Sequence, residues 1–114
     1  MSSSREALRL SDIVENIDLI FEYVAGLSPA AFEQDRRTVD ATERCLERVA
    51  EAVVKIGSDR MRIIAPDLPF ERVRGLGNNL RHAYDTIDLA FLLNLIRDEL
   101  PSLRDVCVQA LADQ

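Results

Sequence analysis

Leu10-Ser11-Asp12-Ile13-Val14-Glu15-Asn16-Ile17-Asp18-Leu19-Ile20-Phe21-Glu22-Tyr23-Val24 carries apolar side chains at 10, 13, 14, 17, 20, 21 and 24. Steps of three and four put these residues on one broad face of a helix. Ser4 is placed to cap this helix, and Gly26 can supply the left-handed residue that stops it. Ser28-Pro29 then reads as a cap followed by a proline in the first turn, where a missing N–H costs nothing. The helical turn it opens is short, and Phe32 is expected to tuck it against the body.

The same period continues along the chain. Val39, Cys45, Leu46, Val49, Val53 and Ile56 form the stripe of a second long helix over about residues 35–56. Gly57 closes it, and Ser58 is expected to cap a short helix at 59–64 that must stop before Pro66. A further helix begins near Pro69, with Phe70, Val73, Leu76 and Leu80 as its apolar seam. Asp85 or Thr86 is expected to cap the next, which holds Ile87, Leu89, Phe91, Leu92, Leu95 and Ile96 and is apolar on more than one face. Such a helix belongs in the centre of a bundle or against a second chain. Leu100-Pro101-Ser102 is expected to break it before a last helix containing Leu103, Val106, Cys107, Ala110 and Leu111. No strand alternation, internal repeat or low-complexity linker interrupts this order. The expectation is an all-α fold, an up-and-down bundle of four main helices with short extra helices, forming one domain over residues 1–114.

Composition agrees with that class. The chain has 114 residues, enough for one ordinary core, and 47% hydrophobic content with only 5% aromatic makes that core aliphatic. A formal charge of -6 argues against broad, unspecific attraction to nucleic acid. A local cluster can still oppose the net charge. Arg60, Arg62, Arg72, Arg74 and Arg81 read either as a positive cleft on an acidic body or as solvated arginines. Cys45 and Cys107 stand apart in sequence with no metal-ligand spacing, so they read as reduced, buried thiols, and neither a metal nor another cofactor is expected. No apolar run is long enough to span a bilayer, so no membrane contact is expected and the cytoplasm is the expected location.

Chemistry-bearing residues gather in Arg72-Val73-Arg74-Gly75-Leu76-Gly77-Asn78-Asn79-Leu80-Arg81-His82-Ala83-Tyr84-Asp85, which holds the only histidine and one of two tyrosines. On a helix Asn78 and His82, four apart, lie about 40° from each other around the axis. Histidine exchanges a proton near neutral pH, and arginine grips phosphate in a fixed fork. That grouping suggests phosphodiester chemistry or nucleotide contact. The plainer reading is a helix-end histidine beside surface arginines. Gly75 and Gly77 each cost a helix about 1 kcal/mol relative to alanine, so either they permit close approach of a backbone or phosphate, or one marks a kink.

The segment Pro69-Phe70 followed by Gly75-Leu76-Gly77-Asn78-Asn79-Leu80-Arg81-His82-Ala83-Tyr84 resembles the HEPN superfamily, and within it the HepT-like toxins, whose pattern reads Gly-x-Arg-Asn-x-Leu-x-His-x-Tyr. Arg9-Leu10-Ser11-Asp12-Ile13, Val49-Ala50-Glu51-Ala52-Val53-Val54-Lys55 and Leu100-Pro101-Ser102-Leu103 are similar to other segments of the family in the same order. The resemblance implies a metal-independent RNA endonuclease, the toxin of a toxin–antitoxin pair. It implies a homodimer and a nucleotidyltransferase antitoxin that silences the toxin by AMP transfer to the motif tyrosine, here Tyr84. His82 becomes the acid/base and Asn78 a substrate-holding group. Glu51 can orient a basic group or simply be a solvated helix acid.

The chain departs from the pattern at one position: the family arginine, five before the histidine, is Gly77. For cleavage a displaced arginine, from this chain or from a second copy, must then fill the role, with Arg74 and Arg81 the candidates in the motif, and Arg74 lies roughly 12 Å along the axis from His82. Gly77 favours a second reading, a binding module that keeps the dimer and the transferase partner without cutting RNA. In a third the matching segments only maintain packing.

Overall fold

The computed structural model describes residues 4–82 and 87–114. Among these residues six helices follow one another: α1 (Ser4–Val24), α2 (Pro29–Gln34), α3 (Arg36–Ile56), α4 (Ser58–Ile64), α5 (Phe70–His82) and α6 (Leu89–Ala112). Four are long and two are short, in agreement with the expected four main helices with short additions, and the fold is all-α.

Local chemistry explains most boundaries. Gly26, with φ 74°, follows the end of α1, a backbone conformation only glycine adopts without strain. The Ser28 hydroxyl accepts from the Ala31 amide, with Pro29 in the first turn of α2. Asp35 caps α3 through Thr38, accepting from its amide and its hydroxyl. Gly57, at φ 96°, closes α3 by donating its N–H to the Val53 carbonyl.

Three expectations need correcting. Ser58 caps nothing: it is the first residue of α4, and Gly57 precedes it without a side-chain cap. Asp85 and Thr86 lie outside the described residues, and the cap of α6 is Asp88, whose carboxylate accepts from the Ala90 and Phe91 amides, so Ile87 precedes the helix. Nor does Pro101 end a helix, because α6 runs through it for 24 residues. Ile96, Leu100, Leu103 and Cys107 are all buried and keep a 4-3-4 spacing across the proline. Anchored on both sides, the helix tolerates one lost backbone hydrogen bond rather than give up that stripe.

α1 and α3 pack along each other, with α6 against α1 and α5 against α3, while α2 and α4 each touch both α3 and α6. Leu10, Ile13, Ile17 and Ile20 of α1 are fully buried among Val53 of α3 and Leu92 and Ile96 of α6. Phe32 is also fully buried and pins α2 to the body, worth about 1.5 to 3 kcal/mol for its side chain. Polar clamps fix the helix ends. Arg104 of α6 makes a two-pronged bond to Asp18 of α1, Arg60 of α4 does the same to Glu6, and Arg97 donates to the Val24 and Leu27 carbonyls beyond the last turn of α1. Both cysteines are free and buried. No helix of the described residues is long and apolar enough to cross a membrane.

Candidate functional site

α5 is held by one apolar edge. Leu80 is buried, and Phe70, Val73 and Leu76 are partly buried against the core, while Asn78, Arg81 and His82 face solvent. α5 leans chiefly on α3, and Gly77 lies where the two helices meet. That residue is buried, and a Cβ built on it would stand 3.0 Å from the Cβ of Ala50. Of the two roles open for the glycines, close approach therefore applies to Gly77. At Gly75 nothing lies within 4 Å of such a Cβ.

The missing side chain leaves space that a neighbour uses. The Arg81 guanidinium folds back along α5 until its terminal nitrogens lie 3.8 and 3.9 Å from the position of that Cβ. It is held there by a 2.7 Å bond from Arg81 Nη2 to Asn78 Oδ1. Around the axis Asn78 stands between Arg81 and His82, about 60° from the first and about 40° from the second. The structure thus brings Asn78 and Arg81 into contact and sets His82 beside them, exposed in the last turn of α5.

The other residues singled out in the sequence are placed differently. Arg74 lies over the Phe70 ring, 5.3 Å from its centroid, with Glu71 4.0 Å away. Arg60 is taken up by Glu6 and Arg62 stands 4.0 Å from Asp59, so the five arginines do not act as one free cluster. Tyr84 lies outside the described residues. Glu51 pairs with Lys55 at 3.1 Å on its own helix. The Lys55 ammonium holds its carboxyl below the usual range, and Arg81 lowers it further from α5. Glu51 is thus near the motif without being bonded to it.

Glu51 also lines a pocket of about 180 Å³ between α1 and α3, with Arg9, Asp12, Asn16, Arg48 and Lys55. Arg48 and Asn16 had no signal in the motif. They become neighbours only when α1 and α3 pack. Among the described residues no group of three or more His, Cys, Asp or Glu side chains is arranged to hold a metal.

α5 of this all-helical fold thus carries an exposed histidine beside an asparagine-held guanidinium. The family model for HepT-like ribonucleases matches residues 13–110. A Thermococcus cleftensis protein named "Probable ribonuclease HepT" is 33% identical over 95 residues, covering 83% of this chain and 86% of its own. Two Methanocaldococcus jannaschii proteins with RNase in their names are each 30% identical over 95 residues, covering 83% of this chain and 78% and 81% of theirs. No solved structure matches. The chain belongs to the HepT-like ribonuclease family of the HEPN superfamily.

Proposed function

We propose that the protein is an RNA endonuclease in which His82 moves the protons and an arginine of α5 neutralises the phosphate. The observation that supports this most is the exposed His82 on the same helix surface as Asn78 and Arg81, in a chain of this family. In RNA the nucleophile is already in the substrate. The 2′-oxygen bonds to the adjacent phosphorus, the bond from phosphorus to the 5′-oxygen breaks, and a 2′,3′-cyclic phosphate and a 5′-hydroxyl result. One proton leaves the 2′-hydroxyl and one reaches the departing 5′-oxygen. Histidine suits both transfers, and a cation stabilises the charge that builds on the non-bridging oxygens. A homodimer would supply a second histidine to the same cleft, one acting as base and the other as acid.

The toxin–antitoxin assignment completes the reading. A nucleotidyltransferase partner would transfer AMP from ATP to the Tyr84 hydroxyl, two residues from His82, its oxygen bonding to the α-phosphorus as pyrophosphate leaves, and the added negative charge would repel the RNA backbone. Gly77 supports the alternative, a dimeric binding module that keeps the transferase partner without cleaving RNA. Incubating the purified protein and its His82→Ala variant with RNA separates the two. Cleavage lost in the variant is the expected result, and equal cleavage in both preparations would sink the nuclease. A mass gain of one AMP on Tyr84, on mixing with a transferase and ATP, is expected under either reading, and its absence would remove the transferase partner.

A further inference from the structure

We infer that Arg81 is the phosphate-binding cation of the cleavage site and that Asn78 is the positioning residue that holds it, with Gly77 the empty position that gives the guanidinium its place. The inference rests on the ribonuclease reading and names the group that reading leaves open.

Three arginines lie on α5, and geometry separates them. Arg72 and Arg74 stand ten and eight residues before His82, roughly 15 and 12 Å along the helix axis, too far for one phosphate to touch both that arginine and the imidazole. Arg74 is further committed to the Phe70 ring and Glu71. Arg81 is adjacent to His82 in sequence and, among the described residues, has no acidic partner within salt-bridge distance. Among the described residues its one hydrogen bond is to the neutral Asn78 oxygen, which accepts without cancelling the positive charge and leaves other N–H groups of the fork for an anion. Glu51 is close enough to feel Arg81 but spends its own charge on Lys55.

Holding the guanidinium matters because a long arginine side chain otherwise loses rotamer freedom when it binds substrate. The Asn78 bond supplies that restraint in advance. Gly77 supplies the room. A Cβ at 77 would press on Ala50, which would have to give by a few tenths of an ångström, and the Arg81 nitrogens lie in van der Waals range of that same point. Position 77 therefore cannot easily carry a cation itself, and the turn that follows delivers one.

RNA cleavage by the full chain under saturating and subsaturating substrate tests this, with melting curves to confirm that each variant folds. Arg81→Ala is expected to lower kcat by about 100-fold or more, the scale of losing one charge-stabilising donor, with a much smaller change in KM. Arg81→Lys keeps the charge without the fork and should recover at least about tenfold of that loss. Arg74→Ala should stay within about threefold of the parent. Asn78→Ala should lower kcat by about tenfold in the parent and by almost nothing in the Arg81→Ala background, a non-additivity that a purely structural asparagine would not produce. If Arg81→Ala cleaves at the parental rate while His82→Ala is dead, the assignment of Arg81 fails and the nuclease stands. If His82→Ala cleaves as the parent does, the nuclease reading fails and the role of Arg81 falls with it.

Discussion

A Cβ at Gly77 would fall 3.0 Å from the Cβ of Ala50, where α5 meets α3. Gly75, two residues earlier on the same helix, has nothing within 4 Å of the equivalent point. Helix propensity favours alanine over glycine at both positions, by about 1 kcal/mol. Gly75→Ala should therefore raise stability by up to about that amount. Gly77→Ala should gain less, or lose, because Ala50 must give by a few tenths of an ångström. Urea unfolding of the two variants checks this, and equal stabilisation would mean that the helices are not closely apposed there.

Pro101 sits inside α6 and is exposed. Its ring removes the N–H that would bond to the Arg97 carbonyl, and the flanking buried residues hold the helix together. Pro101→Ala returns that donor without disturbing the core. Stabilisation of about 1 to 3 kcal/mol is expected in denaturant unfolding. A lower midpoint for the variant would show that the proline shapes α6 in a way the packing requires.

Burial pushes the Cys107 thiol up to about 12 and raises that of Cys45 as well. At pH 8 a thiol titrating near 12 is thiolate in only about one molecule in ten thousand, and the thiolate is the reactive form. Labelling of the native protein with a thiol reagent should be slow, and its rate should follow unfolding as denaturant is added. Fast labelling of either cysteine in the native state would contradict the burial of both.

The Thr38 hydroxyl and amide hold the Asp35 carboxyl below its ordinary value of 3.8. A folded-state value below the unfolded one means that the capping bonds contribute fully above about pH 4 and are lost as the pH falls through the folded value. Thermal unfolding should therefore show a decline in acid that Asp35→Ala reduces, the variant being less stable than the parent at pH 7 and closer to it at pH 3. A constant gap between the two at both pH values would mean that the carboxylate does not act through its charge.

Much of this molecule is readable in order of residues. The steps of three and four in α1 and α3, the glycine stops and the Ser28-Pro29 start all place themselves, because periodicity, left-handed backbone and capping are local properties. Pro101 misled for the same reason. A proline is a local signal against helix, and only the burial of Leu100, Leu103 and Cys107 shows that packing outweighs it. The motif residues were legible as a set, yet their relations were not. Asn78 reads as a substrate group until its oxygen is seen on Arg81, and Arg60 reads as part of a cleft until Glu6 takes it.

By itself the sequence determined the helical class, the family pattern around His82 and the presence of an unfilled arginine position at Gly77. Only the tertiary structure decided that this glycine lies against Ala50 of α3 and that Arg60 is taken by Glu6. The reason is one of range: periodicity and capping act within a turn or two of chain, whereas the approach of Ala50 to Gly77 joins residues from different helices and exists only once α3 and α5 have packed.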